Sequence, residues 1–199
     1  MKKLFIACLS ALTLLGVGAC GTGPAADPDH SFHAVGGWGA WEAKEDNKMT
    51  AISLDDVKAL NADLGAKLAE KPVKYIYKYA MTIPSEDQSW TAKAKVGGEV
   101  KEFNGKYTVK CIIAHWDKEE ETYANDHWLP NPADTDPGHV EALTSNVFIP
   151  TYQKEKDEDG FSWADNPVIT DGKSSYTFIV AQYTTISSAT AIGYGFAAL

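Results

Sequence analysis

Short runs in which apolar and polar residues alternate dominate the chain, and each predicts a strand with one face turned inward. Val73 to Tyr79 (VKYIYKY) alternates tyrosines with lysines around Ile76, and Trp90 to Val96 (WTAKAKV) alternates apolar with polar residues. Gly97-Gly98 follows directly, a pair suited to a tight hairpin turn. Tyr107 to Trp116 (YTVKCIIAHW) and Tyr176 to Thr185 (YTFIVAQYTT) are the longest runs of β-branched and aromatic residues, and so the expected sheet centres. One stretch has a different period. After Ser53-Leu54-Asp55-Asp56, which resembles a capping box, Val57, Leu60, Leu64 and Leu68 recur at three- and four-residue steps until Pro72. Its narrow apolar stripe predicts one amphipathic helix over about 53–70, laid on the surface of something else.

Two acidic, proline-containing stretches, Asp117 to Pro137 and Lys154 to Pro167, carry no clear period and are expected to be long loops. Many short strands, one helix and long loops imply a mainly β protein: an antiparallel, immunoglobulin-like β-sandwich with one inserted helix.

The amino terminus reads as an address. Met1-Lys2-Lys3 is basic, Leu4 to Leu15 is apolar, and small residues Gly16 to Ala19 precede Cys20. That apolar stretch is short of the roughly 20 residues a membrane-spanning helix needs. Val17-Gly18-Ala19-Cys20 resembles a bacterial lipobox, which implies cleavage before Cys20 and acylation of its sulfur. The expected organisation is therefore a signal peptide over 1–19, a lipidated cysteine and flexible Gly/Pro/Ala tether over 20–30, and one β-sandwich domain over 31–199. Such a protein is extracytoplasmic and held on a membrane by lipid. The same resemblance implies the outer membrane where the host has two, because Gly21 stands where the family pattern for inner-membrane retention has an aspartate.

Charge narrows the partners. All 18 basic residues are lysine, and after cleavage 16 lysines face 27 acids, a formal charge of −11. Nucleic acid needs a basic surface and reads bases with arginine forks, so it is not an expected partner. A neutral ligand suits this chain better. Cys111 is the one cysteine left after Cys8 departs and Cys20 is acylated, and its apolar neighbours make it a buried small hydrophobe.

Six tryptophans supply the candidate binding chemistry. Trp38 and Trp41 stand in the glycine-rich turn Gly36-Gly37-Trp38-Gly39-Ala40-Trp41, Trp116 ends a strand, and Trp128 lies in a proline-flanked loop. Flat indole faces suit the C–H-rich faces of sugar rings, with nearby polar groups bonding the hydroxyls. The alternative is that the rings plug the ends of the core. Val35 to Trp41, with Met49 following, resembles the first strand and turn of starch- and glycogen-binding β-sandwich modules carried by surface lipoproteins of bacterial starch-utilisation systems. The resemblance implies that Trp41 contacts glucan and that Met49 is a core residue. The chain departs from that family where the helix begins at Ser53.

Enzyme chemistry has less support. His115, Asp117, His127 and His139 lack the spacing of a zinc motif, and Glu119-Glu120-Glu121 and Asp157-Glu158-Asp159 read as solvated faces rather than a catalytic acid pair. Asp134-Thr135-Asp136 and Asp157 to Gly160 offer oxygen to calcium without completing a ligand loop. The leading expectation is a non-catalytic, cell-surface lipoprotein binding polysaccharide through Trp38, Trp41, Trp116 and Trp128, without a cofactor. A structural or protein-interaction envelope lipoprotein, its acidic loops facing another envelope protein, is the alternative, and a metal-dependent hydrolase the third.

Overall fold

The computed structural model describes residues 24–36, 41–82, 91–96, 99–104, 107–129, 140–149, 167–183 and 193–199. The signal peptide, Cys20, Trp38, His139 and both calcium-type stretches lie outside these residues, as does nearly all of the second acidic stretch. Among the described residues, twelve strands and two α-helices follow in chain order. They are β1 (Ser31–Gly36), β2 (Thr50–Ala51), α1 (Leu54–Leu60), α2 (Ala62–Ala69), β3 (Val73–Thr82), β4 (Thr91–Val96), β5 (Glu99–Asn104) and β6 (Tyr107–Asp117), then β7 (Thr122–Leu129), β8 (Val140–Ala142), β9 (Val147–Phe148), β10 (Val168–Ile169), β11 (Ser175–Tyr183) and β12 (Tyr194–Ala198).

The strands form two five-stranded sheets and a hairpin. The first sheet runs β1-β6-β10-β9 with β7 also paired to β6, the second runs β2-β3-β11-β12-β8, and β4 pairs with β5. The two longest β-type runs thus sit between neighbours, each in its own sheet. Val96 is opposite Glu99, so Gly97-Gly98 joins β4 to β5 where a two-residue hairpin was expected. One pair departs from the antiparallel expectation: β8 lies parallel to β12. The two are far apart in sequence, so no tight turn dictates their relative direction.

The inner faces of both sheets meet in one core. Phe32, Ala34, Val109, Cys111 and Ile113 come from the first sheet, and Tyr77, Met81, Phe178, Val180 and Phe196 from the second. Phe32 stacks on Tyr77 across the interface with ring centroids 3.9 Å apart. Burying each of Phe32, Phe178 and Phe196 contributes roughly 1.5–3 kcal/mol. Met49 is in this core, as the sequence suggests. The protein is a mainly β sandwich with an inserted helical segment.

That segment is two helices rather than one, broken at Asn61. The Asn61 backbone is extended (φ −155°, ψ 110°), its N–H donates to Val57 O at 2.8 Å, and its side-chain oxygen accepts from Leu64 N–H at 2.8 Å. One residue therefore closes α1 and opens α2. The predicted capping box holds: the Ser53 and Asp56 side chains each bond the other's backbone N–H. Val57, Leu64 and Leu68 pack on Ile76, Ile179, Ala181 and Ala197, covering the outer face of the second sheet. Leu60 drops off that stripe at the break and is exposed. A Cβ at Gly65 would come within 2.8 Å of Lys58 Cα, so the elbow between the helices needs glycine there.

The expected tether is not free along its whole length. Asp27 N–H donates to the Tyr77 hydroxyl at 2.7 Å, and the His30 ring meets Asp27 at 3.1 Å. Asp27 to His30 thus belong to the folded body. None of the described helices is long and apolar enough to cross a membrane.

On β12, a Cβ at Gly195 would collide with the Tyr183 hydroxyl and stand 2.8 Å from Leu143. That hydroxyl donates to Glu141 at 2.6 Å, and Lys71 pairs with Glu141 at 2.8 Å. The collision thus falls on the network that fastens the end of α2 to β8. Gly195→Ala is expected to destabilise the fold by roughly 1–3 kcal/mol through overpacking, measured as a lower urea midpoint at unchanged slope.

Candidate functional site

While the helices cover the second sheet, the outer face of the first sheet has a buried centre and an exposed rim at Trp116. Strand alternation selects its residues. On β6, Val109, Cys111 and Ile113 point into the core, which sends Ile112, Ala114 and Trp116 outward. On β1, Phe32 and Ala34 point in, while Ser31, His33 and Val35 point out. Ala43 folds back over Val35, Ile112 and Ala114, with Tyr123 and Trp128 packed against this small apolar floor.

Strand β7 was expected to be part of a long acidic loop. Its polarity follows from its exposed position on the sheet, and its period is broken by a bulge. Ile113 pairs with His127 and Ala114 with Asn125, so Asp126 is the extra residue. Tyr123 and Trp128 are five positions apart, an odd offset that would put them on opposite faces of a regular strand. The bulge turns both outward, Tyr123 opposite Trp116 and Trp128 opposite Ile112. Trp128 is therefore a partly buried strand residue, not a loop platform.

Asp126 is also gripped. Both its oxygens lie 2.9 Å from His115 Nδ1, and His30 Nε2 is 3.9 Å away.

The outermost feature is an aromatic ridge. Trp116 is 50% exposed and meets Tyr123 edge to face, centroids 5.0 Å apart at 76°. Trp41 is 38% exposed, two residues before Ala43 on the segment that crosses this face. The turn Glu45–Asn47 supplies a polar rim. The Tyr123 hydroxyl donates to Glu45 and accepts from Lys48 Nζ at 3.2 Å, and the two charged groups pair at 3.6 Å. The hydroxyl's bond holds the Glu45 carboxyl below its usual range, and its acceptance of the Lys48 proton raises that ammonium's affinity for it. Donor, acceptor and indole face lie side by side, the mixture a polyhydroxylated neutral ligand requires.

Beneath Tyr123 the fully buried His33 ties Ser31 to the turn. Ser31, His33 and Asn47 are linked hydroxyl to imidazole to amide, but the half-buried Ser31 hydroxyl also faces the Ala114 carbonyl at 3.1 Å and serves the sheet. Cys111 is buried, its thiol pushed up by burial, and its sulfur rests 3.9 Å from that of Met49. It is a packing residue.

Of the residues considered for zinc, His115 bonds Asp126, while Asp117 accepts from the Glu119 and Glu120 N–H groups and so shapes the β6–β7 turn. Among the described residues no three His, Cys, Asp or Glu side chains are grouped to hold a metal ion. Glu119, Glu120 and Glu121 are exposed on that turn, as a solvated acidic run should be. No protein family, curated protein or solved structure matches the chain.

The bulge gives a direct test. Deleting Asp126 makes the β6–β7 ladder regular and leaves Tyr123 four positions from Trp128, so both stay on the outer face while Leu129 stays in the core. The expected outcome is a folded protein that keeps the Trp116–Tyr123 contact, read as an unchanged near-ultraviolet circular dichroism spectrum and unchanged tryptophan emission.

Proposed function

We propose that this protein is a non-catalytic, extracytoplasmic lipoprotein, acylated at Cys20, that holds a neutral polysaccharide at the cell surface, on the outer membrane where the host has two. The observation carrying this reading is the half-exposed Trp116, propped edge-on by Tyr123, whose hydroxyl bonds Glu45 and Lys48. Trp41 adds a second exposed indole on the segment crossing the outer face of the first sheet. An α-glucan is the preferred ligand, because Val35 to Trp41 resembles the glucan-contacting turn of starch- and glycogen-binding modules. The excess of acids disfavours polyanionic glycans. The protein concentrates polymer for other proteins to degrade or import.

Native electrophoresis through gels containing glycogen tests the reading. The wild-type protein is expected to be retarded, with Trp116→Ala and Trp41→Ala each weakening retention about five- to tenfold, the loss of one stacking surface. Free migration of the wild type, or retardation of both variants as strong as that of the wild type, rejects it.

A further inference from the structure

The buried imidazole of His33 meets a different element on each side. Nδ1 lies 2.9 Å from the Lys44 carbonyl and 3.0 Å from Asn47 Oδ1, both on the turn that carries Glu45 and leads to Lys48. Asn47 is oriented by its own bonds: Oδ1 accepts from Lys44 N–H and Nδ2 donates to Glu42 O. Both partners of Nδ1 are therefore acceptors, and Nδ1 carries the proton. Nε2 lies 2.8 Å from Ser31 Oγ, and the ring meets Tyr123 at a centroid distance of 4.4 Å. Tyr123 is held at its hydroxyl by the turn and beneath its ring by the imidazole. Both holds pass through His33.

We infer that His33 is the positioning residue of the aromatic ridge and makes its binding pH-dependent: the neutral ring keeps Tyr123, Glu45 and Lys48 assembled, and the protonated ring separates them. The inference rests on the carbohydrate reading of that site.

Ser31 makes the change reversible. Its hydroxyl has one proton and two acceptors in reach, His33 Nε2 and the Ala114 carbonyl at 3.1 Å. With the ring neutral, that proton goes to Nε2. When Nε2 binds a proton, Ser31 Oγ accepts from it and donates to Ala114 instead, so no buried group loses its partner. The charged groups facing the ring are Lys48 and Glu45. From β7 it meets the Tyr123 phenol. On β6, Lys110 lies two positions from Ile112, the residue opposite His33. A charge on the ring repels Lys48 and attracts Glu45, pulling apart the pair that clasps the Tyr123 hydroxyl. Burial holds the His33 pKa below the ordinary histidine range. The neutral ring's contribution is therefore complete above that range, falls as pH drops through it, and is gone below the depressed folded value.

The test follows two nuclei in the whole protein. With fluorotryptophan incorporated and the Trp116 resonance assigned through Trp116→Phe, the Trp116 fluorine shift is expected to titrate with the same midpoint as the His33 imidazole nitrogens. Retention by glycogen is expected to be roughly fivefold weaker below the measured His33 midpoint than well above it. His33→Asn keeps a donor toward the Lys44 carbonyl and cannot titrate, so its retention profile should be flat. A Trp116 resonance that stays still, or moves with a different midpoint, overturns the inference without needing any variant to fold. Glycogen retention that is equal on the two sides of that midpoint overturns it too. Absence of retention at every pH rejects the carbohydrate reading instead, and a shared midpoint then still supports the coupling.

Discussion

Strand β6 has to satisfy two surfaces at once. Its inward residues, Val109, Cys111 and Ile113, seal the sandwich against Tyr77, Phe178 and Val180, and that burial is the main favourable term in folding. The intervening residues are then forced outward by the pleat. Ile112 and Ala114 become the floor of a second, shallow apolar cluster, and Trp116 is carried to its rim. The ridge is thus a by-product of the strand that closes the core. No shift of β6 by one residue can improve one surface without ruining the other.

Much of the architecture is readable from local pattern, because β3, β6 and β11 are long and the helical segment is strongly periodic. What escapes reading is where the pattern is broken on purpose. Val57, Leu60, Leu64 and Leu68 look like one stripe, yet Asn61 uses its backbone for one helix and its side chain for the next. Strand β7 is hidden by an odd spacing that only the extra residue Asp126 reconciles.

The site was harder still. Trp41 and Trp116 are exposed, as a binding role requires, whereas Trp128 is half given over to packing. Tyr123, Glu45, Lys48 and His33 were not foreseen. Tyr123 meets Lys48 across 75 positions of sequence, and no local signal marks such a partnership. The nearest local mark is Ser31 two positions before His33, which puts the two on one face of β1.

The clip at the amino terminus sets a working radius. Asp27 is fastened to Tyr77 of the second sheet, while His30 leans toward Asp126 of the first, a stitch across the open edge of the sandwich. With the proposed acyl anchor at Cys20, only the seven residue steps from Cys20 to Asp27 can lengthen, a contour of at most about 25 Å. The body could not roam far from the lipid surface, and polymer would have to be gathered from a thin shell just above it.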